Sequence, residues 1–236
     1  SANSKISEIS GMIARYETSQ IGSFSGAQAI DASQLSEWRD MEPDSLAQNS
    51  TRNKLTRTAS SSVTLVANGI NNLPSVSFSS SGILSMSAFY QGRLGQRTIF
   101  VVFRPITAPS STQMTLLDSY SSGSTSTLGI KSTSVSFNAG SAVDTATVTN
   151  SASFAVLTDY VMAAYFDGTS SRAFVNNATT SAGAANVSAG TNEMSGLTIG
   201  ATKAAGTAFT GLISEIIIFN RILNIDERKV LMGYLG

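Results

Sequence analysis

Acidic side chains are concentrated in one short stretch of the sequence, which contains Glu37, Asp40, Glu42 and Asp44. Hard cations prefer several oxygen ligands from one loop, so Asp40, Glu42 and Asp44 are candidate ligands of a Ca²⁺ ion. The alternative is a solvated loop, because Pro43 favours a turn and acidic side chains are usually exposed. Both interpretations stay open, and apart from this cation the sequence indicates no cofactor.

A second acidic feature is Glu215, which interrupts the otherwise apolar segment 212–219. A buried carboxylate is costly unless it is paired or hydrogen-bonded, and Arg221 is a nearby candidate partner. A perturbed buried acid can mark a catalytic site, but a glycosidase needs two carboxylates. We therefore expect a structural role for Glu215.

The chain contains no cysteine and no histidine. The first absence excludes disulfides, thiolate metal sites and thiol nucleophiles. The second removes the commonest general base and the Ser-His-Asp arrangement. Few enzymes work without either residue, so we expect no catalytic residues and a protein that is not an enzyme.

Charged residues are scarce and balanced. They make up 13% of the chain, and 15 basic side chains offset 15 acidic ones. Without a net charge the protein has no long-range attraction for polyanions, so we expect no nucleic acid partner. Arg52, Lys54 and Arg57 form a small basic loop, which is either solvated or contacts a phosphate or an acidic glycan. No apolar run reaches the roughly 18 residues needed to span a bilayer, so we expect no membrane insertion.

Short apolar segments recur between clusters of Ser, Gly, Asn and Thr, as expected of strands joined by turns. Several are apolar at consecutive positions, which indicates burial on both faces in a two-layer sandwich. The pattern predicts about a dozen strands in one all-β domain over residues 1–236, with 1–10 as a linker or N-terminal extension. The predicted strands are 98–104, 160–166, 172–175, 197–199 and 212–219, and more weakly 75–78, 83–86, 115–117, 128–131, 135–138 and 146–149.

Two local signals refine this pattern. Asp167-Gly168 is a favoured two-residue hairpin turn, and Asn176-Asn177 is a weaker turn of the same kind. Near the end of the chain, Asn224 and Glu227 have the spacing of a helix capping box. The resulting short helix would carry Ile225, Val230 and Leu231 onto the sandwich.

Several segments resemble, in order, the concanavalin A-like lectin/glucanase superfamily, and specifically laminin G-like jelly-roll domains of phage and bacterial surface proteins. The resemblance covers nearly the whole chain. It rests on Gly11–Tyr16 (GMIARY), 35–40 (LSEWRD), 66–78 (VANGINNLPSVSF), 98–105 (TIFVVFRP), 165–168 (YFDG) with 174–176 (FVN), 197–200 (LTIG), 209–221 (FTGLISEIIIFNR) and 227–235.

The resemblance implies a two-layer antiparallel β-sandwich whose rim loops bind a ligand. It implies the candidate ligand-binding residues Trp38, Asp40, Asp167 and Asn176. Trp38 is the sole tryptophan. It is either a platform for a sugar or, as large aromatic residues more often are, part of the core. Retaining glucanases of this fold share an E-x-D-x-x-E strand, which this sequence lacks.

Three functions are compatible with these features. The first is a non-catalytic module of a virion or cell-surface protein, such as a phage tail, fibre or capsid-decoration protein, that recognises a glycan or a neighbouring surface protein. The second is a structural assembly domain without a ligand, which includes self-association as a homo-oligomer. The third is a glycoside hydrolase, against which the missing carboxylate pair argues. Fold alone does not separate them.

Overall fold

The computed structural model describes residues 6, 8–19, 34–41, 52–58, 60–120, 125–140, 146–149, 154–182 and 186–236. Within these residues, strands form two sheets and a helix lies at the end. The strands are β1 Met12–Glu17, β2 Glu37–Trp38, β3 Leu55–Arg57, β4 Val63–Val66, β5 Ser75–Phe78, β6 Leu84–Met86, β7 Arg97–Pro105, β8 Met114–Asp118, β9 Thr127–Lys131, β10 Ser134–Asn138, β11 Ala146–Thr149, β12 Tyr160–Phe166, β13 Arg172–Val175, β14 Leu197–Ile199 and β15 Gly211–Phe219, and the C-terminal helix is Ile225–Leu235.

The two sheets have seven and eight strands. The seven-stranded sheet has the order β13-β12-β7-β15-β5-β4, and β1 pairs with β15 beside this path. The eight-stranded sheet has the order β11-β10-β9-β8-β14-β6-β3-β2. All paired strands are antiparallel. The predicted all-β, two-layer sandwich with a C-terminal helix is confirmed.

The main core lies between the sheets, and a second core lies outside the seven-stranded sheet. On β7, Ile99, Val101 and Phe103 belong to the first core, whereas Phe100 and Val102 belong to the second. The alternation follows from the two-residue period of a strand. Residues of the C-terminal helix cover the outer face. The consecutive apolar positions therefore reflect a helix packed outside the sandwich, and not the sandwich alone.

The helix begins with the predicted capping box. The Asn224 side chain accepts hydrogen bonds from the backbone of Asp226 and Glu227, and Glu227 accepts one from the Asn224 backbone. The packing face differs from the prediction, because Ile225 and Val230 are 45% and 38% exposed. The buried helix residues are Arg228, Leu231, Met232 and Leu235. Their spacing places them on one side of a 3.6-residue helix, and Val230 lies off this face.

The predicted strands agree with the structure to within one or two residues. The prediction missed β3 and β4, and it missed β2 because two residues carry no periodicity. The predicted two-residue turn at Asp167-Gly168 is wrong. Residues 167–171 connect β12 to β13, and Gly168–Ser170 form a 3₁₀ turn. Among the described residues, no helix is both long and apolar enough to cross a membrane.

A candidate binding groove with an acidic end

A groove crosses the outer face of the seven-stranded sheet beside the end of the C-terminal helix. It consists of two adjoining cavities of about 420 and 210 Å³ that share Val102 and Leu235. Val102 and Val161 lie opposite each other on β7 and β12 and contribute apolar floor. Met232 and Leu235 form the wall on the helix side. We call this feature the sheet groove.

The opposite wall is a 3₁₀ turn, Ile70–Asn72, which precedes β5. Asn71 and Asn72 have φ angles of 52° and 59°. Asparagine adopts this left-handed conformation more readily than most residues. The Ile70 N–H donates to the Ser75 hydroxyl at 3.0 Å, which ties the turn to β5. The turn therefore holds the Asn71 side chain at the edge of the groove.

Polar groups with unused hydrogen-bonding capacity surround the apolar floor. Asn71, Asn177 and Lys229 are exposed and line the groove. The Asn177 side-chain oxygen accepts hydrogen bonds from Thr179 and Thr180, and its amide nitrogen has no partner among the described residues. Lys229 forms no ion pair with a described residue. An apolar floor with a few polar groups at its edge is the usual composition of a ligand site.

At the other end of the groove, the carboxylate of Glu215, which lines it, and that of the neighbouring Glu17 share one guanidinium. Glu17 on β1 lies directly opposite Glu215 on β15. Arg15 donates to Glu215 at 3.0 Å, to Glu17 at 2.7 Å and to the Tyr234 hydroxyl at 2.7 Å. The predicted pairing of Glu215 with Arg221 is wrong, because Arg221 forms a bidentate ion pair with Glu227 instead. We call Arg15, Glu17, Glu215 and Tyr234 the acidic cluster.

A β-bulge explains why Glu215 lies in this cluster. The pairing of β15 with β7 shifts register between Ile213 and Glu215. A bulge adds one residue to a strand and so changes which face the following side chains occupy. As a result Leu212 and Ile217 both belong to the outer core, and Glu215 lines the groove.

Burial raises the pKa values of both glutamates in the acidic cluster. Burial, partly offset by Arg15 and reinforced by Glu17, raises the pKa of Glu215 to about 7. Burial also raises the pKa of Glu17, against the opposing effect of Arg15. One cation cannot compensate two buried carboxylates, so the pair retains a proton more readily than an exposed glutamate does. At this end of the groove, Glu215 therefore has a pKa close to neutral pH.

Two of the sequence-predicted site residues support the cluster from behind. Trp38 is fully buried, packs edge-on against Tyr16 and donates its indole N–H to the Glu17 carbonyl at 3.2 Å. The Asp40 carboxylate is 6% exposed and accepts hydrogen bonds from the Arg15 backbone at 2.8 Å and from Asn53 at 2.9 Å. Trp38 therefore belongs to the core, and a sugar platform does not fit its position. Both residues fix β1, from which Arg15 and Glu17 project.

The other two predicted site residues lie at opposite ends of the β12–β13 pair. Asp167 follows β12 and accepts a hydrogen bond from Gln96. Asn176 follows β13 with a φ of 51°, and its side-chain oxygen accepts the Val161 N–H at 2.7 Å. Asn176 therefore closes this end of the strand pair and borders the sheet groove, whereas Asp167 does not line it. The structure thus does not assemble the four predicted residues into one site.

The predicted cation site falls largely outside the described residues, because Glu42 and Asp44 both do. Within the described part of the chain, no group of three acidic residues could hold a metal ion.

The three residues of the predicted basic loop, Arg52, Lys54 and Arg57, each contact a different partner. Lys54 forms an ion pair with Glu37 at 3.1 Å, Arg57 donates to the Ser61 carbonyl, and Arg52 lies over the Tyr90 ring.

The sequence interpretation missed Glu17, Asn71, Asn177 and Lys229. Glu17 ends an apolar strand just as Glu215 interrupts one, which is a usable signal for a buried acid. Nothing in the sequence shows that positions 17 and 215 are neighbours, since β1 and β15 lie at opposite ends of the chain. Pairing of distant strands is a property of the tertiary fold.

Comparison with known proteins gives a family model and a set of similar folds. The model of the concanavalin A-like lectin/glucanases superfamily matches residues 72–227. A Trypanosoma rangeli sialidase structure is similar, with a TM-score of 0.61, 17% identity, and coverage of 97% of this chain and 34% of the sialidase. This chain therefore spans about a third of the sialidase chains that it matches. No curated protein sequence matches it.

Two further solved structures are similar in fold. Domain 4 of AbnA, an extracellular arabinanase from Geobacillus stearothermophilus in complex with arabinotriose, has a TM-score of 0.57 and 10% identity. The comparison covers 94% of this chain and 98% of that domain. The binding domain of Paraclostridial Mosquitocidal Protein 1 has a TM-score of 0.64 and 9% identity, over 97% of this chain and 53% of that one. At these identities the similarity shows the fold alone.

Proposed function

Because the chain belongs to the concanavalin A-like lectin/glucanase superfamily, we propose that it is a non-catalytic module that binds a saccharide in the sheet groove. A groove across a sheet suits an extended ligand of a few sugar units. The arabinotriose complex of the arabinanase domain supports this proposal, as do the toxin binding domains among its structural relatives.

The observation that carries the proposal is the composition of the groove. Sugar rings present apolar CH groups on their faces and hydroxyls at their edges. Val102 and Val161 can contact the CH groups, whereas the amides of Asn71 and Asn177 can form hydrogen bonds with the hydroxyls. Amide groups donate and accept hydrogen bonds without adding charge, which matches a neutral, hydroxyl-rich ligand.

The proposed role is non-catalytic because of the way the two carboxylates are held. A retaining glycosidase needs one carboxylate as nucleophile and another as acid, acting independently on opposite sides of a bond. Glu17 and Glu215 instead bind the same Arg15 guanidinium. Release of reducing ends from a bound saccharide that disappears in Glu215→Gln would support a hydrolase and contradict this role.

We place the module in a virion component, or in another extracellular or cell-surface protein. The support is its composition, in which neutral polar residues replace most charges. Detection of the protein in purified virions by mass spectrometry, or of its gene among virion assembly genes, would support the virion setting. Recovery from the cytosolic fraction of its host cells alone would contradict both settings.

A second candidate function, assembly through an apolar surface, is favoured by one exposed cluster. Ile106, Val156 and Leu157 are 46%, 42% and 69% exposed. The Leu157 N–H donates to the Pro105 carbonyl, which brings the two loops together. Neighbouring exposed apolar side chains often mark protein contacts. Sedimentation of the wild type and of Leu157→Ser tests self-association, since the substitution should dissociate an oligomer held by this surface.

The groove is tested by binding to an array of neutral oligosaccharides, followed by titration of the best ligand against variants. Asn177→Asp keeps the oxygen that accepts from Thr179 and Thr180 but removes the amide donor. Asn71→Gly removes a side chain while keeping a residue that tolerates positive φ. The matched control is Asn186→Asp, at an exposed position outside the groove.

Loss of one ligand hydrogen bond should weaken binding by about tenfold in each groove variant and leave the control unchanged. Absence of binding to every oligosaccharide on the array would contradict saccharide binding. Equal affinity of the groove variants and the wild type would contradict the location.

A further inference from the structure

A separate pocket of about 520 Å³ lies beside β6, β14 and β8 in the middle of the eight-stranded sheet, and it shares no lining residue with the sheet groove. Three parts of the chain form it, namely the loop 87–93 after β6, Tyr120 after β8, and residues 195–203 around β14. Ala88 contributes exposed apolar surface, and Ser87 and Ser195 contribute hydroxyls, whereas Phe89 belongs to the main core and is only 3% exposed. We call it the basic pocket.

Two cationic side chains line the basic pocket. The Lys203 ammonium lies 3.4 Å from the centre of the Tyr120 ring. Arg93 has Glu193 as its ion-pair partner at 4.0 Å, with both side chains more than half exposed. Such an exposed pair contributes little and opens readily. Among the described residues that line the pocket, none carries a carboxylate. The side chains that line the pocket therefore carry two positive charges, and the carboxylates of Glu193 and Asp118 lie next to it without lining it.

Hydrogen bonds fix the Lys203 and Tyr120 side of the pocket in advance of any ligand. The backbone N–H of Lys203 donates to the buried Asp118 carboxylate at 2.9 Å. The Tyr120 N–H donates to the Ser195 carbonyl at 3.1 Å, and the Ser195 N–H donates to the Ser119 hydroxyl at 3.1 Å. These contacts reduce the ordering cost of binding on this side.

The Arg93 side is tied to the same frame. Its neighbour Leu94 exchanges two backbone hydrogen bonds with Met194, at 3.0 and 2.8 Å. This bridge joins the loop that carries Arg93 to the segment that carries Ser195 and Lys203. The main-chain positions of the two cations are therefore fixed relative to each other across the pocket.

The outer face beside the pocket also contains polar atoms without a protein partner. Asp118 and Thr198 lie opposite each other on β8 and β14. Asp118 Oδ1 and Thr198 Oγ1 are buried and have no hydrogen-bond partner among the described residues. Buried polar atoms of this kind are usually satisfied by water or a ligand. Neither residue lines the pocket, so these atoms mark a polar layer beside it and not a contact with its ligand.

We propose that the basic pocket is a second saccharide site, which binds the carboxylate of an acidic sugar between Arg93 and Lys203. The sugar ring would lie against Ala88, with the serine hydroxyls at its edge. Because the chain has no net charge, recognition depends on these two cations and not on long-range attraction. This site is independent of the sheet groove and would remain if the groove bound nothing.

The test uses the whole chain, labelled with ¹⁵N and titrated with glucuronic, galacturonic and N-acetylneuraminic acids. Neutral glucose and galactose are the controls, and sodium sulfate at matched ionic strength tests for simple anion binding. The acidic sugars should shift the amide signals of Arg93, Ser195 and Lys203, and leave Asn71 and Asn177 in the groove unchanged. Their affinity should fall as salt is added.

Arg93→Gln and Lys203→Gln remove one charge each from exposed positions and should each weaken the binding of the acidic sugar by about tenfold. Lys131→Gln, which makes the same change outside the pocket, should have no effect. Absence of shifts with all three acidic sugars overturns the proposal. It is also overturned if sulfate or the neutral sugars bind as well as the acidic ones, or if Lys131→Gln weakens binding equally.

Discussion

Glu17 and Glu215 lie directly opposite each other on β1 and β15 and share the guanidinium of Arg15. Opposed residues of this kind have Cβ atoms about 5 Å apart, at which like charges repel. Arg15 compensates one of the two charges. The charge at this end of the sheet groove therefore depends on pH. Loss of the last proton from the pair leaves one buried carboxylate without a compensating cation.

Stability should therefore fall as pH rises towards and through neutrality. Folding raises the pKa of Glu215 from 4.5 to about 7, so the folded state binds the proton more tightly than the unfolded state. Its contribution is fully present below about pH 4.5 and is lost by pH 7 to 8, which amounts to at most about 3 kcal/mol. Urea unfolding between pH 5 and 8 measures this change. Glu215→Gln should flatten the profile, and an unchanged slope in this variant would contradict the assignment.

Removal of the shared cation should be more damaging than removal of either acid. Arg15→Met leaves two buried carboxylates without compensation and should cost about 3–5 kcal/mol in the free energy of unfolding at pH 7. Adding Glu17→Gln and Glu215→Gln to this variant should restore part of the loss. A double-mutant cycle by chemical denaturation checks the coupling, and strictly additive effects would refute the cluster as a unit.

Trp38 should report on the core and not on a ligand. The side chain is fully buried, so its fluorescence should be blue-shifted and poorly quenched by acrylamide. Because it is the sole tryptophan, the signal needs no deconvolution. Trp38→Phe should destabilise the protein by about 1–3 kcal/mol and leave saccharide affinity unchanged. Strong quenching, or a large spectral shift with a bound sugar, would place the indole at a ligand site instead.

The helix cap should support the sheet groove from outside it. Asn224→Ala removes the side chain that accepts from Asp226 and Glu227 and should cost about 1 kcal/mol. Met232 and Leu235 form one wall of the groove, so fraying of the helix should also weaken ligand binding. Thermal unfolding and ligand titration measure the two effects. Asn186→Ala serves as the surface control, and an equal loss there would contradict the capping role.

The sequence determined the class of fold and most of its strands. Alternating and continuous apolar runs predict strands because side chains alternate across a sheet, and β7, β12 and β15 carry this signal over many residues. The capping box at Asn224 is also a local signal, and the sequence predicts it correctly. The short strands β2 and β3 were not, because two or three residues carry too little periodicity to distinguish a strand from a loop.

Only the tertiary structure decided where the binding features lie. Glu17 and Glu215 are separated by almost the whole chain, and a bulge of one residue determines which face Glu215 occupies. The family resemblance of a short segment predicts Trp38 and Asp40 as site residues, but their burial depends on contacts with distant parts of the chain. Residue type and spacing are local properties, whereas a groove exists only where distant segments meet.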